Sequence, residues 1–345
     1  MIQSALYHQL QSKIEKINFS LLWPGFHPFD FALFDEESVM LKGEILPKTH
    51  EFLGNTAIHY QGRLLATWKV DTDSPEDLDV FASLLVHEMF HCFQMEQLES
   101  RYPNDLSLLR YPDNLDNYEW KACENRLLLQ AYEEKNEALF QEFVQTREHR
   151  TTLIGEIIHQ EAKAETIEGS AEYVGLLALK QCSLRQYDER VQDFARKLLD
   201  PANLFDIRRM SYVTGVFLLL NLQEHQIDVD KNLQHPHPFF DQLTVQETNF
   251  KLVKTSGFLK AHFDAYLQKK RDTFVKYRAL LTNRHPGNFI ICGYDPMNMI
   301  RIGDDILATH LIFLESQGEI IKLLEPVILK CQANSDNVIE AYYTR

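Results

Sequence analysis

Leu84-Leu85-Val86-His87-Glu88-Met89-Phe90-His91-Cys92-Phe93 carries His-Glu-x-x-His inside a strongly helical stretch. Residues four apart on a helix lie one above the other, so the His87 and His91 imidazoles stand side by side and can grip one metal ion. Glu88, next to the pair, can reach a water on that metal as general base. Upstream, Ser74-Pro75-Glu76-Asp77 reads as a helix start, with Ser74 as N-cap and Pro75 at the first helical position. Leu78, Phe81, Ala82, Leu85 and Met89 recur at helical spacing, which predicts an apolar stripe beside the histidines and a helix running to about Glu99. The plain alternative is two ordinary histidines satisfied by local hydrogen bonds.

The 345 residues, 45% hydrophobic and 25% charged, are enough for a real core in an ordinary globular protein. A formal charge of −15 argues against nucleic acid and against anionic membrane surfaces as partners. Met1 to Phe19 lacks the uninterrupted apolar core of a signal peptide, and the most apolar run, Val213 to Leu222, is too short to span a bilayer. Cys92, Cys123, Cys182, Cys292 and Cys331 are odd in number and widely spread, without a Cys-x-x-Cys pair. That is a reduced pattern, so a soluble cytoplasmic protein is expected.

An α+β fold is expected. Residues 1–74 read as an N-terminal α/β portion: a helical period over 2–17, a turn-rich aromatic segment at Trp23 to Phe29, then strands. Ala57 to Val70 reads as a strand pair or a bulged strand, and offers an edge along which a peptide can lie. Residues 75–284 read as a helical metal-binding body, with helices over Tyr118–Glu148, Thr151–Gln181, 187–199, 207–226, 239–251 and 258–281. Leu106 to Leu109 can form a short turn. Residues 285–345 read as a small β-rich module, in which Leu307–Phe313 and Glu319–Leu329 flank Ser316-Gln317-Gly318 as a hairpin.

A catalytic zinc takes three protein ligands and keeps a fourth position open. Glu161, Glu165, Glu168 and Glu172 fall within about 60° of one another on a helical wheel, which ordinarily means a solvated acidic face. Gly169, Ser170 and Ala171, however, are small enough to let this helix approach another closely. Here the sequence resembles the gluzincin metallopeptidases, the thermolysin-like and related aminopeptidase families, which pair His-Glu-x-x-His with a glutamate ligand in a Glu-Gly-x-Ala context. Glu168-Gly169-Ser170-Ala171 matches that context. The resemblance covers roughly residues 57–222 and implies one zinc per chain, held by His87, His91 and Glu168, with a peptide or protein as substrate. It places Glu172 where some of these families carry an acid that orients a ligand histidine. It departs from thermolysin in the 76 residues between His91 and Glu168, which hold an extra helix.

Such enzymes need a donor for the developing oxyanion. Tyr212, in Arg208-Arg209-Met210-Ser211-Tyr212-Val213-Thr214-Gly215, is the first candidate, with Arg208 or Arg209 to bind a substrate carboxylate; Tyr173 and His159 come next. A tyrosine here is equally well plain core. Two other readings stand. One is a di-iron carboxylate bundle built on Glu88/His91 and Glu156/His159, with Glu119 or Glu124 as a bridge. The other is a peptidase-like fold that binds peptide without cleaving it, against which the intact Glu88 argues. Cys92 reads as a buried inert thiol, and His235 and His237 as loop histidines.

Overall fold

The computed structural model describes residues 4–71, 74–244, 257–333 and 335–345. Helix α1 (Ser4–Ile14) precedes five strands: β1 (Asp30–Phe34), β2 (Ser38–Leu41), β3 (Glu44–Pro47), β4 (Thr56–Tyr60) and β5 (Arg63–Lys69). Helices α2 (Leu78–Glu96), α3 (Asp105–Leu108), α4 (Leu115–Glu133), α5 (Glu137–Ile154), α6 (Ile157–Cys182), α7 (Leu184–Leu199), α8 (Ile207–Glu224) and α9 (Lys260–Leu280) follow. Seven strands close the chain: β6 (Asn283–Tyr294), β7 (Met299–Ile302), β8 (Asp305–Ala308), β9 (Ile312–Ser316), β10 (Glu319–Leu323), β11 (Val327–Cys331) and β12 (Val338–Thr344). The fold is α+β.

The first sheet runs β3-β2-β1-β5-β4, with β1 and β5 parallel and the other pairs antiparallel. Residues 57–70 supply a hairpin: Gln61 and Gly62 both have positive φ, the requirement of the tight turn that matches strand twist, and β4 becomes the sheet edge. Phe31, Leu33, Met40 and Ala66 of this sheet share one apolar core with Phe81, Leu85 and Met89 of α2. The aromatic segment closes over the same helix, with Trp23 and Phe26 each edge-on to Phe90 at 5.2 Å.

Several helix boundaries differ from the sequence reading. Helix α2 is capped by Asp77, whose carboxylate accepts from the Asp79 and Val80 amides, and not by Ser74, whose hydroxyl instead closes the preceding loop on Lys69 O and the Asp71 amide. The helix ends at Glu96, and the chain then turns through Leu98 at positive φ. Tyr118–Glu148 is two helices, because Lys135 turns at positive φ and the Asn136 side chain caps α5. The stretch read as a helix over 239–251 holds a single short turn at Phe240–Gln242; residues 245–256 lie outside the described residues.

The acidic stripe of α6 is buried throughout, and two different devices bury it. Glu161 and Glu165 meet Glu124 of α4 among Lys121, Arg147 and Arg150, three carboxylates against three cations. Arg150 donates to Glu161 Oε2 at 2.8 Å and to Glu124 Oε1's neighbour Oε2 at 2.5 Å. Arg150 and Lys121 draw Glu161 well below the usual carboxylate range against the opposing effect of burial. Glu168 and Glu172 are buried by the site described below.

The last seven strands form an antiparallel sheet, β10-β9-β6-β12-β11-β8-β7. Its hairpin joins β9 to β10 through Gln317 and Gly318, both at positive φ, while Leu307 pairs with Ile328, and Leu329 with Ile306, in the separate β8–β11 ladder. This sheet has its own core, reaching Leu106 of α3, and is tied to the helices by Ser107 and Arg110 on Asp336.

Candidate metal centre

Close helix approach builds the site. Helix α6 is pressed between α2 and α8 at glycines: a Cβ on Gly175 would lie 2.9 Å from Ser83 O and 3.4 Å from His87 Cβ. His87 and His91 of α2 therefore face Glu168 and Glu172 of α6 directly. His91 Nε2 lies 3.2 Å from His87 Nε2 and 3.3 Å from Glu168 Oε2. Donors at 2.0–2.1 Å from a tetrahedral zinc stand about 3.3 Å apart. Both separations suit one ion, and Glu168 Oε2 is buried with no hydrogen-bond partner. Two imidazoles and a carboxylate are a donor set that suits zinc and discourages magnesium or calcium.

Each donor is held from behind. His91 Nδ1 is 2.7 Å from Gln94 Oε1, and Gln94 Nε2 donates to Ile167 O at 3.0 Å and Ser170 Oγ at 3.2 Å. Since the Gln94 amide nitrogen is committed to those acceptors, its oxygen accepts from His91 Nδ1–H, and Nε2 is the nitrogen left for a metal. His87 Nδ1 stands 3.1 Å from Glu172 Oε2, and Arg190 of α7 donates to Glu172 Oε1 at 2.9 Å. Burial opposes charge on Glu172, yet His87 and Arg190 lower its pKa to about 2. Arg208 of α8 donates to Glu168 Oε1 at 2.7 Å and to Asp105 Oδ1 at 2.8 Å. Burial likewise disfavours charge on His91, but the Glu168 carboxylate outweighs it and raises the pKa to about 9.

Glu88 is buried beside the candidate ligands, and no hydrogen bond or ion pair engages it among the described residues. Desolvation raises its pKa, offset in part by His87 and His91. The Tyr212 ring lies parallel to the His87 ring at 5.9 Å. Burial and the Glu168 carboxylate hold its phenol well above the usual range, so it stays a proton donor.

No family model, no curated protein and no solved structure matches this chain.

The remaining sequence candidates lie elsewhere. Arg209 is exposed, pairing with Asp206 and donating to Met297 O at 3.2 Å. Tyr173 donates to Gln223 Oε1 at 2.7 Å, away from the histidines. His159 pairs with Glu156 and Asp241. The second Glu-x-x-His therefore does not join Glu88 and His91. Glu124 is committed to Arg147 and Arg150, and Glu119 accepts from the Gly257 amide at 2.6 Å. Glu124, Glu161 and Glu165 also lie close enough to share an ion, but a metal there would have to displace the three cations that neutralise them. The Cys92 thiol is buried and pushed up by desolvation, which leaves it inert. Gln94, Arg190 and Asp105 escape the sequence reading. Gln94 alone carries a signal, three residues after His91 on the same helix face.

Proposed function

We propose that this protein is a zinc-dependent metallopeptidase of the gluzincin kind, with His87, His91 and Glu168 holding one zinc and Glu88 as general base. The observation that carries this reading is the spacing of the three donors together with the unpartnered Glu168 oxygen. A zinc bound there supplies Lewis acidity for a peptide carbonyl and makes water acidic enough to lose a proton near neutral pH. Glu88, the uncommitted carboxylate of the group, takes the proton from the attacking water and returns it to the leaving amine. Its raised pKa brings it closer to the working range of a general base. Tyr212 keeps its phenolic proton and donates to the oxygen on which negative charge develops. An extended substrate can pair with the free edge of β4, which packs beside α2. Five cysteines that form no disulfide support a cytoplasmic setting.

The test pairs two variants. Glu88→Gln should keep zinc and fold while hydrolysis of a mixed peptide library falls by about 10²-fold or more. His87→Ala should lose the metal. Wild-type activity in Glu88→Gln excludes the mechanism, and no cleavage by zinc-loaded wild type excludes the peptidase.

A further inference from the structure

Between the helices and the C-terminal sheet lies a cleft of about 470 Å³, within the size range of small-ligand sites. Its apolar wall includes Phe205, Tyr266 and Met299. Arg208 lines it, and the same guanidinium donates to Glu168 Oε1 at 2.7 Å, so the cleft is one side chain away from a proposed metal ligand. Arg208 and Arg301, which both line the cleft, carry every arginine nitrogen that is buried without a hydrogen-bond partner among the described residues: Nη1 of Arg208 and both Nη atoms of Arg301.

Arg301 sits on β7 and is 4% exposed. Its Nε donates to Gly303 O at 2.8 Å, which anchors the stem and leaves the two terminal nitrogens free. The nearest carboxylates stand beyond hydrogen-bond range, Asp336 at 3.8 Å and Asp304 at 4.0 Å. Asp336 is already claimed by Ser107 and Arg110. The acids of the cleft wall are also committed, Asp105 to Arg208 and Asp206 to Arg209. A buried guanidinium whose two terminal nitrogens lack an acceptor is costly, and its planar fork matches a carboxylate.

We propose that this cleft binds a carboxylate of the substrate, with Arg301 as the principal anchor and Arg208 linking the bound group to Glu168. The proposal builds on the peptidase reading and gives its substrates an anionic end. In a chain of net charge −15, this is a local cationic exception of the kind that recognition of an acidic ligand requires.

Three N-acetylated forms of one short peptide test it by calorimetry on the full chain: free C-terminal carboxylate, C-terminal amide, and amide with an added glutamate. At least one carboxylate form should bind about tenfold tighter than the neutral amide, the scale of one charged hydrogen bond. Comparison of the two carboxylate forms tells a terminal from a side-chain carboxylate. Arg301→Met should abolish the preference. Arg301→Lys, which keeps the charge and loses the fork, should retain part of it, and serves if the methionine variant does not fold. Equal affinity for all three peptides, or an unchanged preference in a folded Arg301 variant, overturns the proposal. The measurement is repeated on zinc-stripped protein. A preference that survives there in a chain that never cleaves peptide keeps the carboxylate site and sinks the peptidase.

Discussion

Gly169 of α6 and Gly215 of α8 lie back to back, so close that a Cβ on Gly169 would stand 2.5 Å from the Gly215 Cα. Arg208 and Tyr212 precede Gly215 by two turns and one turn, on the same face of α8. The crossing therefore sets how near both side chains come to Glu168, the residue before Gly169. Gly169→Ala must push the helices apart. Its expected cost is about 1–3 kcal/mol in urea unfolding, as for other overpacked cores. Zinc content should fall with it. Unchanged stability and zinc content would show that the crossing has slack.

Glu172 touches His87 and is not among the proposed ligands. Glu172→Gln removes the charge that favours the His87 ring orientation and leaves Arg190 without its partner. Zinc should bind about 10–100-fold more weakly, measured by competition with a chromophoric chelator. An unaltered dissociation constant would mean that the Arg190–Glu172–His87 series supports only the fold.

Gln94 joins a proposed ligand on its own helix to the backbone of the opposite one. Gln94→Met fills a similar volume but leaves His91 Nδ1 and the Ile167 carbonyl without this partner. The expected loss is about 1–3 kcal/mol of stability. Added zinc should also give a smaller rise in melting temperature than in wild type, because the His91 ring is free to turn. Full zinc stabilisation in this variant would remove Gln94 from any role at the metal.

The ion-pair cluster gives the protein an acid limit. Glu124 and Glu161 have folded-state pKa values below the ordinary carboxylate value, because arginine attraction exceeds the effect of burial. Groups shifted this way stabilise the fold fully above the unfolded value, near pH 4–5, and lose that contribution as pH falls toward the folded values. Melting temperature should hold from neutral pH to about pH 5 and then drop steeply. Glu161→Gln should cost about 3–5 kcal/mol at pH 7, since it strips a partner from Arg150 and Lys121. It should also flatten the acid drop. An acid profile identical to wild type would place the sensitive groups elsewhere.

Much of this is legible in sequence because it depends on local period. His87, Glu88 and His91 declare a shared helix neighbourhood, and Glu168-Gly169 declares both an acid and the room to bring it close. Boundaries without glycine or proline are harder. Nothing in Glu133-Glu134-Lys135-Asn136 forbids a continuous helix, and the break exists because Asn136 caps a new one at an angle that tertiary packing rewards. Asp77 and Ser74 are both competent caps, and the loop that consumes the Ser74 hydroxyl cannot be read from the run itself. The burial of Glu161 is hidden for a different reason. Its partners, Lys121 of α4 and Arg150 of α5, resemble any solvated cations until α4, α5 and α6 are assembled. Arg190 and Arg301 come from more remote segments still, and no spacing rule connects them to His87 or Glu168.

Helix α2 has a sheet on one side and α6 on the other, and Phe81, Leu85 and Met89 of its inner face are fully covered. That makes the histidine pair non-portable. A fragment beginning at residue 75 would retain the His87, His91 and Glu168 positions, yet it would lose Phe31, Leu33 and Ala66 from against α2 and present a greasy flank to solvent. The strands before the histidines thus act as scaffolding for the proposed metal site, to which they contribute no ligand, and grafting the site onto another backbone would have to bring that floor along.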